Sequence, residues 1–305
     1  MLFADYVPAV LSTASSLVQG WQRPLAQAKP VDYYARNLKT ITGIYNLTVW
    51  PNNLPIITQG SSAVPAGLFA ENATGRVSPL GNFTGFQDSI EYFFALALVP
   101  SPPAYSVFTK ATVVEFSSGC PEVAASVAWL ETRVDNVNLT NNGQYLSTLK
   151  EVAFWRFDDD GAVTSYDAYI PNLADWNFLA EGQQNITNPI VQAATIEGLC
   201  PIIQQRCTGA DQQYNDVAQC VSTLSGKSFG SYDEVWADNV VCRTVHIILA
   251  LVRPDVHCPH VGPTGGMKCV DEPYNEGYFD DADLFGMPLG TTFVCPGKED
   301  CHKGW

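Results

Sequence analysis

Carboxylates and phenols on strand-like segments are the residues of this chain best suited to proton transfer. A carboxylate buried among aromatic rings has a raised pKa and can exchange a proton near neutrality. Strand alternation places Glu131 with Trp129 and Arg133, and it places Glu151 with Trp155. The pattern leaves open which face lines a pocket, so these acids could also lie solvated or paired outside. The candidate acids, bases and donors are Glu115, Glu131, Glu151, Asp167, Tyr166 and Tyr169.

Histidines near the C-terminal end have the spacing of a metal site. His257 and His260 flank Cys258 and Pro259, and His246 lies eleven residues before His257. Zinc and copper favour imidazole and thiolate ligands at such spacings. Disulfide formation would remove the thiolates, although imidazoles alone could still bind. We therefore predict structural histidines with no metal and no cofactor, and keep His246, His257 and His260 as the alternative ligand set.

Eight of the nine cysteines lie between residues 200 and 301, which indicates a disulfide framework and an oxidising compartment. The ninth, Cys120, could pair with one of them or remain a free thiol. Their connectivity is left open by the sequence. The cysteines expected in disulfides are Cys200, Cys207, Cys220, Cys242, Cys258, Cys269, Cys295 and Cys301.

Five N-glycosylation sequons precede this region and predict a secreted glycoprotein. They begin at Asn46, Asn72, Asn82, Asn138 and Asn185. The N-terminal segment is a poor signal peptide, because it has no basic residue before Arg23 and Asp5 and Pro8 interrupt its apolar stretch. We expect an extracellular protein whose signal peptide is absent from this chain or not recognisable in it.

Composition excludes several classes of partner. The 305 residues include 31 acidic and 16 basic side chains, which gives a formal net charge of −15. Phosphate-rich surfaces require a basic footprint, so neither nucleic acid nor an anionic membrane is expected to bind. The sequence has no run of about eighteen apolar residues, and no transmembrane helix is predicted. The length and the apolar fraction of 46% predict a globular protein with two domains.

The order of the elements predicts an α+β protein. A helical lead-in is expected over residues 1–30, followed by helices that include one around residues 87–98. Alternating segments over 105–116, 123–134, 145–157 and 162–170 then predict an antiparallel sheet. Short helices carry the cysteines, and Ser231 to Glu234 reads as a capping box that opens a helix ending at Arg253. The predicted domains are 31–190 and a Cys-rich helical domain over 191–305 with an irregular tail.

Three segments of this chain resemble the SnoaL-like branch of the NTF2-like superfamily over residues about 31–180. They are LFAENA at 68–73, FTGFQDSIEYFFAL at 83–96 and EVAFWRFDDDGAVTSYDAYI at 151–170. The resemblance implies a conical α+β barrel in which a curved antiparallel sheet wraps around helices and an internal pocket. It also implies proton-transfer chemistry with a carboxylate and a Tyr or His donor. All four histidines lie outside the cone segment, so histidine chemistry there would require the second domain to reach in.

These observations support a secreted pocket that binds a small apolar or aromatic molecule and converts it by carboxylate chemistry of the isomerase, lyase or hydrolase type. Whether the pocket is catalytic stays open at this stage. One alternative is a non-catalytic secreted interaction or scaffold protein, because the sequence has no specific catalytic signature. A second alternative is a metal-dependent enzyme that uses the C-terminal histidines. The substrate and the oligomeric state are left open by the sequence.

Overall fold

The computed structural model of the protein describes residues 32–182 and 184–297. The predicted helical lead-in over residues 1–30, Cys301 and His302 lie outside these ranges. The described residues belong to one compact unit. Along the chain, helices come first, a sheet follows, and a helical part with disulfides comes last.

A six-stranded sheet forms the frame of the first part. Its spatial order is β2-β1-β6-β5-β4-β3, and every neighbouring pair is antiparallel except β1 with β6, which is parallel. The prediction of a wholly antiparallel sheet is wrong at this pair, because β6 returns beside β1 through a non-local pairing that alternation within a strand does not encode. The strands are β1 (Phe69–Ser78), β2 (Gly81–Thr84), β3 (Ser106–Cys120), β4 (Val123–Val134), β5 (Tyr145–Phe157) and β6 (Val163–Tyr169).

Burial identifies the inner face of the sheet. In β5 the alternate residues Leu149, Glu151 and Trp155 are buried, whereas Lys150 and Phe154 are exposed. Strand β4 shows the same alternation, since its even-numbered residues from 124 to 134 are buried. This places Trp129, Glu131 and Arg133 on the outer face, opposite Glu151 and Trp155.

Helices cover the inner face and complete the core. Helix α1 (Tyr33–Thr48) is capped by Asp32, whose side chain accepts from the Ala35 amide, and it buries Ile41, Ile44 and Tyr45. Helix α2 (Leu54–Gln59) follows. Helix α3 (Gly85–Ile90) continues into a π-helical turn, Glu91–Ala95, all of whose residues are buried. Helices packed on one face of a sheet make this an α+β arrangement, as predicted, and residues 32–180 are called the cone below.

The rest of the described chain is mainly helical, as predicted. Pro254 does not simply end the preceding helix but starts the next one. Among the described residues, no helix combines the length and the apolar character that crossing a membrane requires. The helices after the sheet are α4 (Leu173–Ala180), α5 (Pro189–Arg206), α6 (Val217–Ser225), α7 (Val240–Leu249), α8 (Pro254–Val261), α9 (Tyr274–Gly277) and α10 (Asp281–Phe285).

The predicted helix from Ser231 to Arg253 is shorter than expected. It begins at Val240, because the Asn239 side chain caps it by accepting from the Cys242 amide, and it ends at Leu249. Ser231 instead accepts from the Asp233 amide in a local turn. The pattern of a Ser with a Glu three residues later therefore forms a turn here and not a helix cap. The sequence pattern alone does not distinguish these two structures.

Four disulfides staple the described residues. Three lie within the helical part, and they join Cys200 to Cys220, Cys207 to Cys258 and Cys242 to Cys269. The fourth joins Cys120, at the end of β3, to Cys295 in the tail. Cys120 is therefore part of the framework, which rules out a nucleophilic thiol at this position.

An ion-paired seam connects the cone with the helical part. Arg253, between α7 and α8, donates to Glu91 of the π-helical turn and to Asp88 of α3. Arg76 of β1 pairs with Asp167 of β6 and reaches Asp281 of α10. The domain boundary near residue 190 stays a prediction.

Candidate functional site

A cavity of about 180 Å³ lies within the cone, on the inner side of the sheet. Most of its lining is aliphatic or aromatic, which suits an apolar ligand better than a charged one. Glu151 is an ionisable group in this lining and the only cone carboxylate predicted from the sequence that faces it. The lining side chains are Tyr45, Thr48, Leu80, Tyr92, Phe93, Leu96, Ala97, Leu98, Phe108, Leu130, Leu149, Glu151, Ile170, Leu173, Trp176, Asn177, Glu181, Tyr232, Thr244, Val245 and Ile248.

Two tyrosines hold the Glu151 carboxyl group. The Tyr45 hydroxyl donates to one carboxyl oxygen at 2.6 Å, and the Tyr92 hydroxyl donates to the other at 2.5 Å. Tyr45 comes from α1 and Tyr92 from the π-helical turn, so two separate elements converge on β5. An ionised carboxyl buried in this cavity is costly unless it is paired, and the phenols supply that pairing.

Burial sets the protonation of this triad. It raises the pKa of Glu151 above its ordinary value, and the hydrogen bonds from Tyr45 and Tyr92 oppose that rise. Burial and the nearby Glu151 charge raise the pKa values of Tyr45 and Tyr92 well above the ordinary value for tyrosine. Both phenols therefore remain protonated donors, while burial shifts the carboxyl group toward its protonated form.

Packing fixes the orientation of the two donors. The Tyr45 ring meets the Trp155 ring edge-on at a centroid distance of 6.1 Å. The Trp155 indole is in turn held by its Nε1–H, which donates to the Ser126 hydroxyl at 2.8 Å. The Tyr92 and Phe93 rings lie 4.6 Å apart. Because these side chains are buried, the two hydroxyls reach Glu151 from fixed positions.

The helical part contributes to one end of the cavity. Thr244, Val245 and Ile248 of α7 line it together with Tyr232 and Glu181. Burial raises the pKa of Glu181, and burial together with the Glu181 charge raises the pKa of Tyr232 to about 12. This end therefore offers a second carboxyl and a phenol that could bind a polar group of a ligand.

The other predicted site residues lie away from the cavity. Glu115 is exposed, and Tyr169 is 54% exposed. Glu131 accepts from Arg133 at 2.6 Å on the outer face, and Asp167 pairs with Arg76 at 2.7 Å. Their charges are thus solvated or neutralised by a neighbouring guanidinium.

Tyr166 is buried but points to another partner. Its hydroxyl donates to Ser89 at 3.1 Å rather than to Glu151. Burial raises its pKa far above the ordinary value, so it is a structural phenol in this arrangement. Among the six predicted residues, the geometry brings only Glu151 to the cavity with donors, and a catalytic role for it stays a prediction.

Sequence reasoning missed the partners of Glu151. Tyr45 lies 106 positions before it and Tyr92 lies 59 positions before it. The spacing of Tyr45 with Ile41 and Ile44 predicts a buried tyrosine on α1, which would have been a usable signal. The residues supplied by α7 carry no such signal, because the packing of the helical part on the cone is not encoded in local spacing.

The histidines of the helical part lie outside the cavity, and one of them, His257, contacts the cone. His257 Nε2 lies 2.9 Å from Glu91 Oε2, so the helical part reaches the π-helical turn. No histidine of residues 32–182 or 184–297 lines the cavity. Burial and the neighbouring histidine charges lower the pKa of His246 well below its ordinary value, and burial with the His257 charge lowers the pKa of His260 to about 4.

Four of the five sequon asparagines are exposed, namely Asn46, Asn72, Asn138 and Asn185. Asn82 is half-buried, and its side-chain oxygen lies buried without a hydrogen-bond partner among the described residues. The surface therefore permits glycosylation at four positions.

Two family models match adjoining stretches of the chain. The BfoA N-terminal domain matches residues 43–168, which lie within the cone, and the BfoA family C-terminal domain matches residues 163–272. Together they span most of the described residues and meet at β6.

Fungal relatives share most of this length. Aurasperone B biosynthesis cluster protein A of Aspergillus niger is 29% identical over 263 residues, covering 79% of this chain and 82% of the relative. Bifonsecin B biosynthesis cluster protein A of Aspergillus brasiliensis is also 29% identical over 263 residues, covering 79% of this chain and 84% of the relative.

Solved structures resemble about half of the chain. A protein from a Jannaschia species, described as a SnoaL-like polyketide cyclase, has 12% identity and a TM-score of 0.33, covering 50% of this chain and 97% of that one. A Delta 5-3-ketosteroid isomerase from a Mycobacterium species has 17% identity and a TM-score of 0.29, covering 44% and 92%. At these scores the similarities carry no information about activity.

Proposed function

Because the chain belongs to the BfoA family, whose two domains it carries in order, we propose that it processes a small apolar or aromatic intermediate of natural-product biosynthesis. The relatives from two Aspergillus species are named for biosynthesis clusters, which supports this class of substrate. Binding takes place in the cone, and Glu151 moves a proton on the bound molecule.

The observation that carries this proposal is a single buried carboxyl held by two phenols inside an apolar cavity. A buried carboxyl group seldom contributes to stability, because removing its charge from water costs free energy. Carboxyl groups with a shifted pKa cluster at functional sites. Glu151 is 3% exposed, and such low-dielectric surroundings strengthen its interaction with any polar atom of a ligand.

The proposed step is a proton shift next to a carbonyl. The Glu151 carboxylate accepts a proton from the carbon beside the carbonyl, and the C–H electron pair forms the C=C bond of an enolate whose charge rests on oxygen. In a substrate with a C=C bond beside this carbon, the enolate is a dienolate, and protonated Glu151 returns the proton to its far carbon. The C=C bond moves into conjugation with the carbonyl, and no oxidant or reductant is consumed. The two phenols stabilise the ionised form before the step and fix the carboxyl position during it.

The cavity size limits the ligand. An apolar cavity of about 150 Å³ is enough to bind benzene. The 180 Å³ cavity here accommodates an aromatic ring with a fused ring or substituents. Glu181 and Tyr232 at one end are placed to bind a hydroxyl or carbonyl oxygen of such a molecule.

We also propose that the protein is secreted. Four disulfides among the described residues and four exposed sequon asparagines support an oxidising, glycosylating route. Expression in a fungal secretory host followed by enzymatic deglycosylation should lower the mass by at least three glycans. A mass that does not change would contradict the glycoprotein proposal.

The acid–base proposal is tested with an aromatic ketone of matching size, 1-indanone, in D₂O. Binding of the ketone should quench the tryptophan fluorescence of the wild-type protein. The wild-type protein should also accelerate deuterium exchange at the carbon beside the carbonyl, measured by NMR. Glu151→Gln should lose at least about 100-fold of the accelerated exchange, the usual contribution of a positioned base.

Glu115→Gln is the matched control, since it removes an exposed carboxylate and should retain full exchange. Binding without accelerated exchange in the wild type would contradict the catalytic part and leave a binding protein. Absence of both binding and exchange for 1-indanone and for 1-tetralone would overturn the pocket assignment itself.

A further inference from the structure

Three histidines of the helical part converge through one ring nitrogen each. His246 Nδ1 lies 3.3 Å from His257 Nδ1 and 3.2 Å from His260 Nδ1. One nitrogen from each ring can be chosen such that all three lie within 4.8 Å of one another. No role is assigned to this cluster by the cavity chemistry, because none of the three side chains lines the cavity.

From this convergence we propose that His246, His257 and His260 bind one divalent transition-metal ion, with Zn²⁺ as the expected occupant. Zinc–imidazole bonds of about 2.0–2.1 Å at a tetrahedral angle separate ligand nitrogens by about 3.3–3.4 Å. The two distances from His246 match this spacing. Three protein ligands leave a fourth position for water, as in open zinc sites.

The tautomer of His257 is set by Glu91. The Glu91 carboxylate is held by the Arg253 guanidinium, and it can only accept a hydrogen bond from His257 Nε2. When the His257 imidazole is neutral, its Nδ1 atom therefore presents a lone pair to the other two histidines. A carboxylate behind a ligand histidine is the usual second contact in metal sites, where it orients the ring and raises its basicity.

Hydrogen bonding alone does not satisfy this arrangement. His246 Nδ1 faces the Nδ1 atoms of two other rings, and an imidazole nitrogen carries either one proton or one lone pair. His246 Nδ1 can therefore make one well-aligned hydrogen bond within the cluster, and its other contact is left without one. A cation at the centre satisfies all three nitrogens at once.

Two disulfides hold the helices that present the ligands. His257 and His260 lie one turn apart on α8, and Cys258 between them is bonded to Cys207. His246 lies on α7 one turn after Cys242, which is bonded to Cys269. These bonds remove the thiolates from the ligand set and preorganise the imidazoles, so the site is made of nitrogen ligands alone.

Charges around the cluster act in both directions. Glu91 supplies negative charge, while Lys268 opposes a cation through its effect on His246 and His260. Glu91 and Asp88 share the single guanidinium of Arg253, so these three groups leave one negative charge, and Arg243 pairs with Asp238. Imidazole ligands bind zinc, copper and nickel without needing a net negative site.

The test uses Co²⁺ as a spectroscopic probe of the whole protein. Wild-type protein, first dialysed against a chelator, should bind one equivalent of Co²⁺ with the intense visible absorption of a four-coordinate site, and Zn²⁺ should displace it. Elemental analysis of the protein as purified should show about one equivalent of a transition metal. A wild type that binds neither ion at 0.1 mM overturns the proposal, whatever the variants do.

Variants separate the three ligands from other histidines. His257→Gln and His260→Gln should each weaken Co²⁺ binding by more than about 100-fold, and Glu91→Gln by about 10–100-fold. His302→Gln, which removes the remaining histidine of the sequence, should leave affinity unchanged. Equal affinity in every folded variant, judged by near-UV circular dichroism, would overturn the assignment. The result does not depend on the Glu151 proposal.

Discussion

At the scale of single residues, Glu151 shows how the cone keeps a carboxyl in an apolar interior. Its side chain is buried between aromatic rings, and two phenols supply the donors that water would otherwise provide. A glutamine would fill almost the same volume without a titratable proton. The difference between the two side chains therefore isolates the effect of ionisation.

Stability should fall with rising pH because of this group. Burial raises the native pKa of Glu151 above the ordinary value of 4.5, so the folded state keeps the proton longer than the unfolded state does. Its contribution is full below pH 4.5 and declines as pH rises through the native pKa, by at most about 1.4 kcal/mol per pH unit.

Urea unfolding of wild type and Glu151→Gln from pH 4 to pH 8 measures this. The wild type should lose stability relative to the variant as pH rises from 4.5, whereas Glu115→Gln should track the wild type. A difference between wild type and Glu151→Gln that stays constant over the range would contradict a raised pKa.

At the scale of elements, we expect the position of α8 to depend on the disulfide between Cys207 and Cys258. The helix has eight residues and contains Pro259, so its own backbone bonding is weak. Cys258 ties it to the C-terminal end of α5 through Cys207. The same helix carries His257 and His260, so its position decides whether the histidines converge.

Removing the bond between Cys207 and Cys258 should therefore cost both stability and metal affinity. The bonded residues are 51 positions apart, and the chain-entropy account gives about 4 kcal/mol for a loop of this length. Replacing both cysteines by serine should lower the free energy of unfolding by about 2–4 kcal/mol and weaken Co²⁺ binding.

Replacing Cys200 and Cys220, which are 20 positions apart and lie outside the ligand helices, is the matched control. It should lower stability by a similar or smaller amount and leave Co²⁺ affinity within about threefold, since additivity holds for distant sites. Loss of Co²⁺ affinity in both double variants would indicate a general unfolding effect rather than a role for α8.

At the scale of the whole molecule, the cone and the helical part share one buried ion pair. Glu91 has a side chain that is 3% exposed, and it accepts hydrogen bonds from Arg253 and His257. Burial alone would raise the pKa of Glu91, but the hydrogen bonds from Arg253 and His257 hold it below the ordinary value. Glu91 directly precedes Tyr92, so the seam and the cavity depend on the same π-helical turn.

Loss of Arg253 should be among the most destabilising surface-accessible changes in the chain. Arg253→Met removes the guanidinium and leaves a buried carboxylate with one fewer partner, which costs about 3–5 kcal/mol. Thermal unfolding monitored by circular dichroism measures the loss. Arg133→Met is the control, because its pair with Glu131 is more than 30% exposed on both sides and should contribute about 0–1 kcal/mol. Equal losses of stability in both variants would contradict the large contribution predicted for the ion pairs of Arg253.

Local pattern predicted much of the fold. Alternation identified four of the six strands, and β5 buries the face that places Glu151 with Trp155. The cysteine distribution predicted the disulfide framework, and the segments around β1, α3 and β6 indicated the NTF2-like cone. These features are encoded by residues close together in the chain, through the two periodicities of strand and helix.

Long-range contacts decided the rest. Periodicity gave Glu131 and Glu151 equal standing, and only the packing of α1 and the π-helical turn made the Glu151 face the inner one. The helix expected from Ser231 begins at Val240, because the Asn239 side chain accepts a hydrogen bond from the Cys242 amide and caps the helix there. Pairing of β1 with β6 in parallel joins segments about 90 residues apart, and no local pattern records it.

By itself, the sequence determined the class of the protein, namely an acidic, cysteine-rich α+β chain with a carboxylate-bearing cone, because composition and short-range periodicity are properties of neighbouring residues. Tertiary structure decided which carboxylate has donors, which cysteine joins Cys120 and how three histidines meet beside Glu91. Each of these depends on side chains that come together only when separate elements pack. The packing of the whole core stabilises their positions, and no single segment does so alone.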